Sequence, residues 1–264
     1  MTDEHLLEVN HLSVAYGNRL HAVRDVSFAI KTGETVGIVG ESGSGKSTVA
    51  LALLRLLPQH GCHIDGSVLF NNENLLTLPE KQLRKIRGKE IGFIFQDALA
   101  ALNPTMPVGR QIVEAILQHE KISPAEAKGR TLALMDSLGI DDPAKRYGEY
   151  PFQYSGGMRQ RAIIAIAMAC GPKLIIADEP TTALDEEIQG EILELLQKIQ
   201  RENGVSILLI SHDLSVITAL CHRVLVMKDG VIVESGAVER ILDAPRHPYT
   251  LQLLESARYT KVLR

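Results

Sequence analysis

The stretch TVGIVGESGSGKS (35–47) decides the fold, because an apolar strand runs directly into a glycine-rich turn and then a helix. Gly40, Gly45, Lys46 and Ser47 match G-x-x-x-x-G-K-[ST] at every fixed position. Backbone N–H groups of such a turn surround phosphates, and the helix N-terminus adds a favourable dipole. An unliganded glycine-rich turn is the alternative, and the agreement of motif with context disfavours it.

This loop predicts a nucleotide site in which Lys46 contacts the β and γ phosphates and Ser47 puts its hydroxyl on Mg²⁺. The residues predicted to bind the nucleotide here are Gly40, Glu41, Ser42, Gly43, Ser44, Gly45, Lys46, Ser47 and Thr48.

Polar side chains follow three further apolar runs, KLIIADEP, IGFIFQ and SILLISH. Asp178, at the end of one predicted strand, is predicted to hold Mg²⁺ through water, and Glu179 to polarise the attacking water. Gln96 and His212 end the other two and are predicted to reach the γ-phosphate region. Taken alone, such residues are more often polar strand ends or solvated loops; the phosphate loop upstream favours the catalytic interpretation. The predicted metal ligands are Ser47, Gln96 and Asp178.

Strand-like and helical runs alternate, which favours an α/β fold with a mostly parallel sheet. A helix is predicted over 47–57, stopped by Pro58, and a hairpin over 223–236 with its turn at Asp229-Gly230. LLEVNHLSVAY and AVRDVSFAI, near the N-terminus, alternate as antiparallel strands do.

Only helical patterns occur between Gln96 and Gly171, including one that begins with Ser123-Pro124 as cap and first residue. We therefore predict one domain over 1–264. Its core would comprise 1–96 and 171–264, and a helical subdomain would be inserted over 97–170.

Composition narrows the function. The net charge of −4 gives no reason to expect nucleic-acid binding, and no apolar stretch reaches membrane-spanning length. Three scattered cysteines without a CxxC pair favour a reducing cytoplasm. HGCH (60–63) offers metal-ligating side chains, but a solvated loop is the favoured interpretation because no further ligands follow nearby.

A second glycine-rich segment, YSGGM (154–158), precedes an apolar helix, and its paired glycines indicate close approach by an anion. With this segment, the motifs GESGSGKS, Gln96, YSGGM, IIADEP, TTALD and His212 stand in an order that resembles the ATPase subunit of an ABC transporter. The resemblance runs from about Leu6 to Ala257.

The resemblance implies a P-loop NTPase (RecA-like) core with an N-terminal antiparallel β subdomain and an inserted helical subdomain. It implies that two ATPase subunits, copies or related chains, dimerise head to tail. Ser155, Gly156 and Gly157 would then close on ATP held by the partner. Met158 departs from the usual Gln of this motif. Tyr16 would stack on adenine, and Asp185 would link the two sites.

The same resemblance implies two membrane permease subunits, an extracytoplasmic solute-binding protein and a position on the cytoplasmic face of the membrane. Three longer segments resemble those of the ATPase subunits of importers of peptides or of nickel and metal-chelator complexes. They are QDALAALNPTMPVGRQI, DEPTTALD and RHPYTLQLLESA. The chain reaches Arg264 without a cysteine-rich extension, which favours the nickel or metallophore branch slightly and leaves both cargoes open. A soluble ABC-type ATPase acting on DNA or the ribosome, and a simple kinase or GTPase, are the alternatives.

Overall fold

A computed structural model describes residues 5–17, 20–58, 60–182 and 184–262. The chain divides into two compact units, one made of Met1–Leu83 with Ser206–Arg264 and the other of Arg84–Val205. The domain boundaries predicted at 97 and 170 stay predictions. None of the described helices combines the length and apolar character needed to cross a membrane.

The first unit contains two groups of strands. An antiparallel sheet has the order β2-β1-β4-β5, and its strands are β1 (His5–Tyr16), β2 (Leu20–Lys31), β4 (Cys62–Phe70) and β5 (Glu73–Asn74). The second group runs β10-β9-β3-β8, with β3 (Thr35–Val39), β8 (Ser206–Ser211), β9 (Arg223–Lys228) and β10 (Val231–Ala237). β3 is parallel to both β8 and β9. The predicted α/β class is therefore confirmed, with the antiparallel N-terminal strands as expected.

The helices of this unit are α1 (Lys46–Leu53), α9 (Leu214–Leu220), α10 (Val238–Asp243) and α11 (Pro248–Val262). α1 ends before the predicted Pro58. Arg55 adopts a left-handed φ of 51°, and the amide of Leu56 donates to the carbonyl of Leu51 at 2.8 Å. This is the hydrogen-bond pattern with which helices commonly terminate, and it acts without the usual glycine.

The second unit holds the parallel pair β6 (Ile91–Ile94) and β7 (Leu174–Asp178). Between them the described residues form helices and no strand: α3 (Ala98–Ala101), α4 (Val108–His119), α5 (Pro124–Ser137), α6 (Pro143–Arg146), a 3₁₀ turn at Pro151–Gln153, and α7 (Gly156–Met168). α8 (Glu186–Asn203) follows β7, and α2 (Glu80–Ile86) precedes β6. Ser123 caps α5 as predicted, accepting from the amide of Glu126 at 3.2 Å.

The HGCH segment differs from the prediction of a loop. Cys62 and His63 begin β4 and pair with Tyr16 and Ala15 of β1, because the sheet extends further along the chain than the local sequence indicates. Among the described residues, no group of three or more His, Cys, Asp or Glu side chains is placed to hold a metal ion.

Candidate active site

The phosphate loop lies in the first unit, between the end of β3 and the start of α1. A side chain at Gly40 would place its Cβ 2.1 Å from the carbonyl oxygen of Met227, and one at Gly45 would lie 2.3 Å from that of Ala22. Gly45 also adopts φ 101°, which L side chains rarely allow. The loop therefore needs glycine at both positions, because its backbone passes tightly between neighbouring segments of its own unit.

Lys46 is the buried cation of this loop. Its side chain is 5% exposed, and Nζ donates to the carbonyl oxygens of Gly40 and Glu41, both at 2.8 Å. The ammonium group is thus held over the loop, where a phosphate would be received.

Ser44, in the same loop, is 6% exposed, and its hydroxyl finds no hydrogen-bond partner among the described residues. A buried hydroxyl without a partner is costly, so an acceptor such as a phosphate oxygen fits this loop.

The predicted general base lies in the second unit, at the end of β7. Asp178 is buried as the last residue of the strand, and Glu179 follows with a left-handed φ of 47°. That conformation is strained for a residue other than glycine, and such strain is characteristic of functional sites.

Two side chains hold the Glu179 carboxylate. Gln96 Nε2 donates to Oε2 at 3.1 Å, and Thr182 Oγ1 donates to the same oxygen at 2.8 Å. The structure thus brings together two of the residues predicted from sequence, Gln96 and Glu179. Thr182 was predicted only as part of the TTALD motif, with no role of its own, although its place three residues after Glu179 in DEPTT was a usable signal.

Two further predicted residues lie at strand ends of the first unit. His212 is exposed and directly follows β8, whose parallel neighbour β3 leads into the phosphate loop. Tyr16 is half-buried at the end of β1. Their predicted roles toward the γ-phosphate and the adenine stay predictions.

The YSGGM segment forms the start of α7 in the second unit. Ser155 is exposed and caps the helix, its Oγ accepting from the amide of Met158 at 3.3 Å. Gly156 is exposed, whereas Gly157 is buried and a Cβ there would lie 2.8 Å from Cγ2 of Ile188 in α8. The two glycines therefore differ: Gly156 faces outward, and Gly157 is required by packing within the unit.

The predicted dimer residue Asp185 has a local contact as well. It caps α8, with Oδ1 accepting from the amide of Ile188 at 3.0 Å. The Asp185 side chain nevertheless remains exposed. Ala183, in the same TTALD motif, lies outside the described residues.

The model of a known family, described as ABC transporter, matches residues 23–182. The chain belongs to the ABC transporter family. It is 50% identical over 95% of its length to the oligopeptide transport ATP-binding protein OppD of Bacillus subtilis, covering 71% of that protein. It is 48% identical over 96% of its length to the dipeptide transport ATP-binding protein DppD of the same organism, covering 77% of that protein.

The fold also matches a solved ATP-binding cassette. A dimeric structure of the cassette MJ0796, in a post-hydrolysis state bound to ADP and Pi, superposes with a TM-score of 0.78 at 30% identity. The match covers 88% of this chain and 98% of that one. The chain is therefore an ABC-type, ATP-binding ATPase, and the P-loop NTPase fold that the resemblance implied is confirmed.

Proposed function

We propose that this ABC ATPase is the motor of a membrane importer of peptides, working on the cytoplasmic face of the membrane as one of two head-to-tail ATPase subunits. The observation that carries the proposal is the exposed Ser155–Gly156 start of α7. An α-helix N-terminus with a hydroxyl, a bare backbone and no acid in its first turn suits an anion. The phosphate loop already provides Lys46 for the nucleotide of this chain, so the phosphate received by α7 would be one bound by another subunit's loop.

Each predicted side chain has a role in this mechanism. The phosphate loop and Lys46 would hold the phosphates of ATP, with adenine against Tyr16. Ser47, Gln96 and Asp178 would hold Mg²⁺, which offsets the charge on the phosphates. Glu179, oriented by Gln96 and Thr182, would order a water and accept its proton, with His212 beside the γ-phosphate. Asp185 would link the two sites.

The permease contact is proposed for residues 97–115 and the aromatic side chains near them. Leu99 is 52% exposed and Phe152 is 68% exposed, with the Tyr150 and Phe152 rings stacked at 5.8 Å. Tyr150 also lines a cavity of about 460 Å³, together with Met106 and Pro107. Exposed apolar patches of this kind mark protein contacts, and a cytoplasmic helix of a permease subunit is the occupant we propose.

The peptide cargo rests on the names of the relatives, OppD and DppD, which the chain resembles over nearly its whole length. Nickel, the expectation drawn from the C-terminal sequence, has no such support among these relatives. The cargo would be delivered by a solute-binding protein outside the membrane. No described feature favours the alternative of a soluble ATPase acting on DNA or the ribosome.

The decisive test uses Glu179→Gln, which keeps the shape of the side chain and removes its basicity. Hydrolysis should fall by roughly two or more orders of magnitude while ATP binding persists. ATP should then trap the ATPase dimer, detected by light scattering. Ser155→Arg in that background should abolish the trapped dimer, because a bulky side chain would occupy the phosphate position.

Ser155→Arg also removes a helix cap, so it needs a matched control. Ser123 caps α5 in the same unit through the same kind of bond, and Ser123→Arg removes that cap away from YSGGM. The Ser123 variant should still form the trapped dimer. Normal hydrolysis by Glu179→Gln, or an ATP dimer that survives Ser155→Arg, would contradict the shared-site mechanism.

The permease contact is tested by crosslinking from cysteines placed at Leu99 and Phe152, after replacement of the native Cys62, Cys170 and Cys221. Crosslinks to the permease should form only in the assembled transporter. A cysteine at the exposed Glu202 of α8 serves as the control that should not crosslink. Crosslinking from position 202 but not from positions 99 and 152 would refute this docking surface.

A further inference from the structure

The C-terminal helix reaches the phosphate loop. Tyr249, in the first turn of α11, is 2% exposed, and its hydroxyl accepts a hydrogen bond from the backbone N–H of Glu41 at 2.8 Å. We propose that Tyr249 is a positioning residue for ATP, holding the first peptide of the phosphate loop in the conformation that receives the phosphates. The proposal concerns the ATP site of this chain and stands whatever cargo is transported.

The residue whose N–H Tyr249 holds, Glu41, is central to the loop. The carbonyl oxygen of Glu41 accepts from Lys46 Nζ at 2.8 Å and from the amide of Ser44 at 3.2 Å. The N–H and the C=O of Glu41 are therefore both fixed by hydrogen bonds. The orientation of Glu41 in turn sets the positions of the Lys46 ammonium and of the Ser44 amide. Tyr249 thereby acts on the two loop side chains that best fit a phosphate.

Tyr249 is itself firmly placed by its own unit. The carboxylate of Glu234, in β10, accepts from the backbone amides of Arg246 at 2.9 Å and His247 at 3.0 Å, which anchors the residues before α11. The ammonium of Lys228 lies 4.7 Å from the centre of the Tyr249 ring. Burial raises the pKa of the Tyr249 phenol, so the hydroxyl stays neutral over the physiological range.

This arrangement predicts a particular kinetic signature. A loop already held in its binding conformation has less freedom to lose when ATP binds, so affinity is gained through preorganisation. The loop binds the phosphates in the ground state and the transition state alike. Loss of the Tyr249 bond should therefore raise KM and Kd and leave kcat unchanged.

The experiment is Tyr249→Phe in the full chain, which removes only the hydroxyl. We expect the Kd for ADP, measured by calorimetry, and the KM for ATP to rise about tenfold, the effect of one net hydrogen bond. The kcat at saturating ATP should match that of the wild type. An unchanged Kd, or a fall in kcat without a rise in KM, would overturn the proposal.

Ser206→Ala is the matched control. The Ser206 hydroxyl accepts from the backbone N–H of Gly33 at 2.9 Å. Ser206 lies at the start of β8, and β8 and its parallel neighbour β3 both run from this end toward the phosphate loop. Both variants lose a hydroxyl bond to a backbone amide, and Ser206→Ala also loses the bond that its hydroxyl donates to the carbonyl oxygen of Lys31 at 3.2 Å. Even so, only Tyr249→Phe should change Kd. Equal changes in Kd would mean that general destabilisation is the cause, and the proposal would fail.

Glu234→Gln tests the same connection from the other end and serves if Tyr249→Phe does not fold. It weakens the anchor of Arg246 and His247, so Kd should rise in the same direction by a smaller factor. Because both changes act through one contact, the double variant should bind no more weakly than Tyr249→Phe alone. Wild-type affinity in Glu234→Gln, or fully additive effects in the double variant, would contradict the proposal.

Discussion

The two glycine-rich segments of this chain, GESGSGKS and YSGGM, are built on different plans. The phosphate loop is enclosed by its own unit. The carbonyl oxygens of Met227 and Ala22 leave no room for a side chain at Gly40 and Gly45, respectively, and the Lys46 side chain is buried. The start of α7 instead presents to solvent Ser155, whose backbone is extended, and Gly156, the first helical residue. The first segment has the enclosure and the buried cation expected of a phosphate cradle, whereas the second is an exposed surface that supports the proposal of a partner-bound phosphate.

The difference also shows in what glycine does. In the phosphate loop, glycine allows backbone to pass close to backbone and permits a left-handed φ at Gly45. In YSGGM, neither glycine has a positive φ, and Gly157 is needed because the Ile188 side chain lies against it. A pair of glycines in sequence can thus serve two separate demands, one at the exposed surface and one inside the fold.

Lys46→Ala gives the largest expected effect and would break the comparison if it failed. Removing a charge-assisted contact to the phosphates should weaken ATP binding by about 100-fold. Lys198→Ala, a change at an exposed lysine of α8, should leave binding unchanged. Equilibrium binding of ATP to the isolated chain measures both. Retained binding in Lys46→Ala would mean that Lys46 does not hold the phosphates.

The sequence was sufficient where the signal was local. The Asp229-Gly230 turn and the Ser123 cap each depend on a few adjacent residues, and each was predicted correctly. The GESGSGKS segment likewise lies between a strand and a helix, as its motif predicts. The early end of α1 was missed because Arg55 adopts a left-handed conformation usually left to glycine. Nothing in the chemistry of arginine indicates that conformation.

Other features depend on residues far apart in the chain. Tyr249 and Glu41 are 208 positions apart, and no local pattern links them. The extension of β4 through Cys62 and His63 follows from pairing with β1, which the HGCH letters do not show. Similarly, the packing of Gly157 depends on Ile188 in a different helix. Sequence therefore indicated which residues are candidates for the chemistry, and the fold was needed to show what holds them.

Alanine at each glycine of YSGGM sharpens the comparison with an intermediate effect. Gly157→Ala should lower the free energy of unfolding by about 1–3 kcal/mol, because its Cβ would overlap the Ile188 side chain. Gly156→Ala would meet only Leu184 at an ordinary 3.4 Å, so stability should change by less than about 0.5 kcal/mol. Urea unfolding measures both. Equal destabilisation by the two substitutions would show that the glycines do not have separate roles.

The smallest expected effect concerns the tyrosines that hold the two segments. The Tyr249 hydroxyl accepts from the amide of Glu41. Tyr154, which directly precedes Ser155, instead donates from its hydroxyl to the carbonyl oxygen of Arg146 at 2.9 Å. Burial raises the pKa of Tyr154 to about 12 from its ordinary value of 10.0. Only the protonated phenol can donate this bond, so the YSGGM segment should be the one sensitive to alkali.

The sign follows from the shift. Because the folded pKa is the higher one, the stability that Tyr154 contributes is complete below pH 10, and it is lost as the pH rises from about 10 to about 12. Tyr154→Phe should cost about 1 kcal/mol at pH 7, where the bond is intact. At pH 11 the variant and the wild type should differ less in their free energy of unfolding, since the wild type has lost part of this contribution.

Urea unfolding at pH 7 and pH 11 measures this difference, with Tyr150→Phe at an exposed ring as the control for general alkaline effects. A gap for Tyr154→Phe that is the same at both pH values would show that the phenol does not hold the YSGGM segment through its proton.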